Sequence, residues 1–139
     1  MNIIQVVAAV IRNEQNRILI TKRPANSHLG GLWEFPGGKI DADETPKQAL
    51  RRELKEELDI LTVVRRLLWQ ETFQYPGKTI HIRFFECQLK DSTQKVSALQ
   101  VADFKWVRPE DLSKFDFPPA DAAFIEFLRS EQKTPHLNP

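Results

Sequence analysis

The sequence predicts an α+β fold, because strands and helices are mixed along the chain without the regular strand–helix–strand alternation of a parallel sheet. Its 139 residues fit one domain, which we expect to span residues 1–131, with 132–139 as a frayed tail. Hydrophobic residues make up 41% and charged residues 28% of the chain, which excludes a disordered or fibrous protein. The single cysteine, Cys87, excludes an internal disulfide and favours a reducing compartment.

The N-terminal third is predicted to contain two strands followed by a loop. A β-branched apolar run ends at Ile11 and a polar turn covers residues 13–16, so a buried strand precedes a returning strand over residues 17–23. The polar stretch 24–32 is predicted to be a loop. Residues 33–35 are predicted to be extended, and Pro36-Gly37-Gly38 is predicted to form a turn.

The strongest local signal predicts a helix from Pro46 to Leu58. Thr45 suits the N-cap and Pro46 the first helical position, while Gln48, three residues after Thr45, completes a capping box.

The second half is predicted to contain three strands and a closing helix. Strands are expected over residues 61–75, 79–89 and 104–107, with a Pro76-Gly77 turn between the first two. A proline-rich loop at 115–119 leads into an amphipathic helix from Ala120 to about Glu131. The apolar face of that helix is predicted to comprise Ala123, Phe124, Phe127 and Leu128.

Three glutamates on the first predicted helix form the main candidate site. Glu53, Glu56 and Glu57 are spaced i, i+3 and i+4, which places them on one face of the helix. Their mutual repulsion becomes binding energy if a divalent cation lies between them, and hard oxygen ligands favour Mg²⁺ or Mn²⁺ over zinc. Such a site suggests phosphate chemistry with an activated water. The alternative is a solvated helix face whose glutamates pair with neighbouring lysines and arginines.

The stretch around the helix resembles the Nudix box of the Nudix hydrolases. The matching positions are Gly38, Glu44, Arg52, Glu53, Leu54, Glu56, Glu57 and Ile60. The departure is Asp59, where the family usually carries a glycine that ends the helix in a left-handed conformation. Aspartate tolerates that conformation better than most residues do. The resemblance implies a mixed sheet sandwiched between helices, in an α/β/α arrangement.

The resemblance also implies a role for each residue of the site. Glu53, Glu56 and Glu57 are expected to hold the metal together with a backbone carbonyl of Gly37 or Gly38. Arg52 is expected to orient a glutamate through charge-assisted hydrogen bonds, and Glu44 to have a structural or outer-sphere role. Glycines at 37 and 38 also allow the backbone to approach an ion closely.

Outside the box, the chain resembles MutT-type 8-oxo-dGTP diphosphatases. The resemblance covers Ile11–Glu14, Ile20–Arg23, His28, Glu34–Ile40 and Phe117–Ala120, and it thins between Leu61 and Asp116. It implies that Arg23 and His28 contact a nucleotide whose cleft is lined by residues 34–37, and that Lys39 assists in holding phosphates. The expected substrate-binding residues are therefore Arg23, His28, Glu34, Phe35, Pro36, Gly37, Lys39 and Asp121. By itself Phe35 is more typical of a core aromatic, and Arg23 and His28 of surface residues.

Two positions depart from the MutT-type pattern. Asp121 stands where enzymes that read 8-oxoguanine carry asparagine, and an ionised carboxylate only accepts hydrogen bonds whereas an amide both accepts and donates. Asp121 is also found in related enzymes that prefer CTP and modified dCTP, and it suits a helix cap as well. Gln100 stands where a loop glutamate often serves as metal ligand or base. Glu53 or Glu56 is then expected to deprotonate the water, with Asp103 as a substitute.

The resemblance implies an Mg²⁺-dependent enzyme that hydrolyses 8-oxo-dGTP to 8-oxo-dGMP and pyrophosphate, with water attacking the β-phosphorus. The alternatives are a CTP or 5-substituted dCTP pyrophosphatase and a non-catalytic nucleotide-sensing module. A net charge of +1 disfavours stable nucleic-acid binding. The first apolar run is too short to span a bilayer and lacks the basic start of a signal peptide. We therefore expect a cytoplasmic monomer without membrane association.

Overall fold

The computed structural model describes residues 2–133, which form seven strands, two α-helices and two 3₁₀ helices. The elements are β1 (Ile3–Ile11), β2 (Ile18–Lys22), β3 (Trp33–Glu34), β4 (Gly37–Lys39), α1 (Pro46–Leu58), β5 (Thr62–Tyr75), β6 (Lys78–Leu89), β7 (Asp103–Val107), the 3₁₀ helices Pro109–Lys114 and Pro119–Asp121, and α2 (Ala122–Lys133). The closing helix runs two residues beyond its predicted end into the expected frayed tail. The rest of that predicted tail, residues 134–139, lies outside the described residues.

The strands form two sheets. Four strands make a mixed sheet in the order β4-β1-β6-β5, in which β1 and β6 run parallel and the other pairs antiparallel. Three strands make an antiparallel sheet in the order β3-β2-β7. The chain turns back from β1 into β2 as predicted, but the two strands meet only at an antiparallel bridge between Arg12 and Ile18, because β2 joins the second sheet.

Each face of the sheets carries its own hydrophobic core, which confirms the α/β/α sandwich. Val7 and Ala9 of β1 face α1, whereas Ala8 and Val10 face α2, as expected from the period-two alternation of a strand. The α1 core includes Leu50, Leu54 and Leu58. The α2 core includes Phe124, Ile125 and Leu128, while Ala123, predicted on that face, is exposed.

Helix α1 has its predicted bounds and caps. The Thr45 hydroxyl accepts from the backbone N–H of Gln48, and the Gln48 side chain accepts from the backbone N–H of Thr45. Asp59 ends the helix in the left-handed region with φ 55°. The aspartate in place of glycine therefore ends the helix in the conformation expected of the usual residue.

The predicted turn at Pro36-Gly37-Gly38 is wrong in part. Gly37–Lys39 forms strand β4, which pairs with β1 so that Val7 lies opposite Gly38. A Cβ atom at Gly37 would clash with the carbonyl oxygen of Val7. Gly37 thus allows the close approach of β4 to β1, and Gly38 leaves room for the Glu53 side chain of α1 beside β4.

Candidate active site

Arg52 holds three glutamates around a single guanidinium group. Its Nε and Nη2 donate to the two carboxylate oxygens of Glu44 at 2.7 and 2.9 Å. Its Nη1 donates to Glu53 at 2.9 Å and to Glu56 at 3.1 Å, and Nη2 also reaches the carbonyl oxygen of Lys39 at 3.1 Å. The bidentate contact lowers the pKa of Glu44 to about 2, with a backbone N–H adding to the effect. Glu44 is therefore an anionic anchor that fixes Arg52, which in turn orients Glu53 and Glu56.

Glu57 is the most buried of the helix carboxylates. Only 8% of the residue is exposed, and no hydrogen bond to its carboxylate is present within residues 2–133. Burial, followed by the negative charges of Glu34 and Glu53, raises its pKa to about 9. Burial likewise raises the pKa of Glu53, although Arg52 opposes the change.

Gly38 brings the backbone of β4 against the same carboxylates. A Cβ atom at this position would lie 2.5 Å from the Cδ atom of Glu53. The lack of a side chain at Gly38 therefore leaves room for the Glu53 carboxylate against the backbone of β4, which suits a metal site assembled from a strand and a helix.

The donor set fits a hard divalent cation. The candidate side-chain ligands are carboxylate oxygens, and Glu57 is a buried residue whose carboxylate has no hydrogen-bond partner in the described part of the chain. No group of three acidic, histidine or cysteine side chains within residues 2–133 is already arranged as a closed metal cage. Glu53 and Glu56 both accept hydrogen bonds from Nη1 of Arg52.

A cleft of about 230 Å³ opens beside this carboxylate cluster. Gly37 and Gly38 form part of its wall, and Glu53 lies against Gly38, so the cleft and the carboxylates are adjacent. The remainder of the wall is largely apolar. It is formed mainly by Ile4, Val6, Phe35, Tyr75, Ile80, Ile82, Phe84, Pro118 and Ala120. An apolar cleft next to a cluster of charged groups suits a ligand with a flat ring at one end and phosphates at the other.

Three cations lie along the cleft. Arg23 donates from Nη1 to Glu34 at 2.8 Å and from Nε to the carbonyl oxygen of His28 at 2.7 Å. Lys39 and Lys78 complete the set. Partial burial, followed by the charges of Lys39 and Arg23, lowers the pKa of Lys78, because these like charges along one cleft repel one another. An anionic ligand relieves this repulsion.

The structure brings most of the predicted substrate-binding residues together. Arg23, His28, Glu34, Phe35, Gly37, Lys39 and Asp121 all line the cleft. Phe35 also packs in the core against Phe84 and Phe124, as its residue type suggested. Pro36 does not line the cleft. It is buried, and its carbonyl oxygen accepts from the backbone N–H of Ala9.

Asp121 lies in the cleft wall at the start of the closing helix, and only 5% of it is exposed. Burial, followed by the charges of Glu34 and Glu71, raises its pKa to about 8. The carboxyl group is therefore mainly protonated at neutral pH, and it then offers one O–H donor and a carbonyl acceptor. In this state it has the same donor and acceptor pattern as the amide of asparagine.

The two candidates for a loop base lie away from the cleft wall. Gln100 is exposed, and its backbone N–H donates to the carbonyl oxygen of Glu57. Asp103 pairs with Lys22 on the strand face that carries Trp33, opposite to the face that carries Glu34.

Sequence reasoning missed Tyr75 and Lys78, which flank the tip of the β5–β6 hairpin and line the cleft. Tyr75 accepts a hydrogen bond from the backbone N–H of Ala120, which ties the hairpin tip to the segment before Asp121. The alternation of Ile80, Ile82 and Phe84 indicated one apolar face on β6. The parallel pairing of β6 with β1, which brings that face to Gly37, has no local signal in the sequence.

Comparison with known proteins places this site in a family. A model of the NUDIX domain matches residues 7–127. The 8-oxo-dGTP diphosphatase of Haemophilus influenzae is 40% identical over 129 residues, covering 93% of each chain. The CTP pyrophosphohydrolase of Escherichia coli is 36% identical over 126 residues, covering 91% of each chain. The crystal structure of a MutT protein from Methanosarcina mazei Go1 has a TM-score of 0.83 at 30% identity and covers 94% of this chain and 96% of that chain.

The chain belongs to the Nudix family, and it is a Nudix hydrolase. Nudix hydrolases depend on a divalent metal, in agreement with the oxygen donors on α1. A catalytic role is therefore supported over that of a nucleotide-sensing module. No helix within residues 2–133 is long and apolar enough to cross a membrane.

Proposed function

We propose that this protein hydrolyses 8-oxo-dGTP to 8-oxo-dGMP and pyrophosphate and so removes an oxidised nucleotide from the precursor pool. The observation that carries the proposal is a cleft that is lined by the buried carboxyl group of Asp121 and that adjoins Glu53 of α1 through Gly38. A substrate of this class offers a triphosphate to the side of the cleft near the α1 carboxylates and a purine edge to the side near Asp121. We place the activity in the cytoplasm, with the protein acting as a monomer that binds no nucleic acid stably.

At the phosphate end, Glu53, Glu56 and Glu57 with the carbonyl of Gly37 or Gly38 are the proposed ligands of Mg²⁺, with Mn²⁺ as an alternative. The bound cation neutralises phosphate charge and acidifies water. Arg52, fixed by Glu44, sets the orientation of Glu53 and Glu56.

Glu53 or Glu56 accepts the proton of the water that attacks the β-phosphorus. Either is better suited than Gln100, since an amide takes no proton at neutral pH. Arg23, Lys39 and Lys78 hold the triphosphate through charge-assisted hydrogen bonds.

At the base end, the protonated carboxyl group of Asp121 reads 8-oxoguanine. Its carbonyl oxygen accepts from N7–H of the oxidised base, and its O–H donates to O6. Unmodified guanine has an acceptor at N7 and loses the first of these contacts. Discrimination against a base that leaves a buried polar group unpaired amounts to several kcal/mol in favourable sites, or about 10⁴-fold.

CTP or a 5-substituted dCTP is the second candidate substrate. The observations that favour it are the carboxyl group at position 121 and the relative named CTP pyrophosphohydrolase. The Asp121 carboxylate accepts from the amino group of cytosine, which needs no proton on the side chain.

The decisive experiment compares specificity constants with Mg²⁺ for 8-oxo-dGTP, dGTP, CTP and 5-methyl-dCTP, with pyrophosphate detected as the product. The expected result is a preference of several orders of magnitude for 8-oxo-dGTP over dGTP, which Asp121→Asn retains. A preference for cytidine nucleotides that Asp121→Asn abolishes would establish the second candidate. Glu53→Gln and Glu57→Gln are expected to lower turnover by orders of magnitude while remaining folded, and near-normal turnover would contradict the metal assignment.

A further inference from the structure

Thr21 has a buried hydroxyl group without a hydrogen-bond partner. It lies in β2 and is 0% exposed, and its Oγ1 contacts no donor or acceptor within residues 2–133. Burying a hydroxyl group without a partner is unfavourable, and valine fills the same volume without that cost. The hydroxyl therefore needs an explanation that the contacts within residues 2–133 do not supply.

The strand direction places this hydroxyl on the side of helix α1. Side chains alternate along β2, so Leu19 and Thr21 share a face, and Leu19 packs in the core formed with Leu50 and Leu54 of α1. Across the ladder Thr21 lies directly opposite Glu34, and such opposed residues point to the same face. The hydroxyl therefore points to the side of the sheet on which the acidic cluster lies.

Glu57 is the corresponding group on the helix. It is one turn beyond Leu54 on the buried face of α1, in the row that begins with Leu50 and Leu54. The residue is 8% exposed, and its carboxylate also has no hydrogen-bond partner within residues 2–133. Glu34, by contrast, is already paired with Arg23 at 2.8 Å. An unused donor and an unused acceptor thus lie on the facing surfaces of β2 and α1.

We propose that Thr21 is a positioning residue whose hydroxyl donates a hydrogen bond to the carboxylate of Glu57, directly or through one buried water, when Glu57 acts as a metal ligand. This inference rests on the proposed function of Glu57. A hydrogen bond to one oxygen of a ligating carboxylate fixes which oxygen faces the ion, and such outer contacts typically change metal affinity by about 10- to 100-fold. The hydroxyl then has the partner that the contacts within residues 2–133 do not give it.

The test measures Mn²⁺ binding by electron paramagnetic resonance, with Mg²⁺ as competitor and no nucleotide present. Thr21→Val is expected to weaken Mn²⁺ binding about tenfold, whereas Thr21→Ser keeps the hydroxyl and stays within about threefold of the wild type. Urea unfolding in EDTA is expected to show no loss of stability in Thr21→Val, because the substitution removes a polar group that is unpaired in that state. If Thr21→Val does not fold, the comparison of Thr21→Ser with Thr21→Ala isolates the hydroxyl in the same way.

Thr62→Val is the matched control. Thr62 is also a buried threonine, 2% exposed, whose Oγ1 has no partner within residues 2–133. It pairs with Leu89 at the end of the β5–β6 hairpin opposite to the tip that lines the cleft. Its replacement is expected to leave Mn²⁺ affinity unchanged.

The outcomes separate the two proposals. If Glu57→Gln leaves Mn²⁺ affinity unchanged, the proposed role of Glu57 is wrong. If Glu57→Gln weakens binding but Thr21→Val does not, the Glu57 assignment stands and the role of Thr21 is refuted. An equal effect of Thr21→Val and Thr62→Val would also refute it, because a general effect of losing a buried hydroxyl would then explain both.

Discussion

Replacing Glu57 with glutamine is expected to stabilise the metal-free protein at neutral pH. The pKa of Glu57 is about 9 in the folded state and 4.5 in the reference state, so the folded protein keeps a proton that the unfolded chain releases. For an acid shifted in this direction, the free energy of unfolding falls as pH rises from about 4.5 to about 9. Three pKa units separate 4.5 from a working pH of 7.5. At about 1.4 kcal/mol per unit, the free energy of unfolding that the wild type loses through Glu57 at pH 7.5 is at most about 4 kcal/mol. We expect Glu57→Gln to recover about 2–4 kcal/mol of this loss.

The assay is urea unfolding in EDTA between pH 5 and pH 9. The free energy of unfolding of Glu57→Gln is expected to exceed that of the wild type by an amount that grows with pH. This difference is nearly absent at pH 5, where Glu57 is neutral. Glu126→Gln, which changes an exposed glutamate paired with Arg129, is the control and is expected to shift stability by less than about 0.5 kcal/mol. Adding Mg²⁺ is expected to stabilise the wild type, by about 2.7 kcal/mol at 100 times its Kd, but not Glu57→Gln. A glutamine variant that is no more stable than the wild type at pH 7.5, or a gap independent of pH, would refute the reasoning.

Three further substitutions test other parts of the site. With 8-oxo-dGTP, wild-type kcat/KM is expected to fall above about pH 8 as the Asp121 carboxyl group loses its proton, while Asp121→Asn stays flat in that range; a flat wild-type profile would contradict the protonated form. Gly38→Ala puts a methyl group 2.5 Å from Cδ of Glu53, and we expect at least a tenfold loss of turnover with a little-changed melting temperature, both measured on the same preparation. Arg52→Lys keeps the charge but loses the two-point contact with Glu44, so we expect turnover to fall about 10- to 100-fold; a lysine variant with normal turnover would show that charge alone suffices.

The sequence predicted the parts of the site that are encoded locally. The cap formed by Thr45 and Gln48 fixes where α1 begins, and the i, i+3, i+4 spacing then places the glutamates without reference to the rest of the chain. The left-handed Asp59 was predictable for the same reason, since helix ends are governed by the conformational preferences of one or two residues.

The parts that depend on contacts between distant segments were not predictable. Gly37 and Gly38 favour a turn by composition, yet they form a strand because β1 lies beside them. Tyr75 and Lys78 reach the cleft because β6 pairs in parallel with β1, a pairing between segments about 75 residues apart that no local pattern specifies. The burial that raises the pKa of Asp121 was not predictable either, since it arises from elements that meet only in the folded chain.

Arg23 connects the two ends of the site electrostatically. Its positive charge lowers the pKa of Glu57 and also that of Asp121, while its partner Glu34 raises both. The Arg23–Glu34 ion pair therefore influences the ionisation of Glu57, on which cation binding depends. It also influences the protonation of Asp121, which is proposed to face the base. Because the two fields oppose each other at each site, a phosphate that draws the guanidinium of Arg23 away from Glu34 changes the electrostatic potential at both ends. A loss of activity after substitution of Arg23 thus combines the loss of a phosphate contact with changed ionisation of Glu57 and Asp121. Measuring metal affinity and base discrimination independently separates these effects.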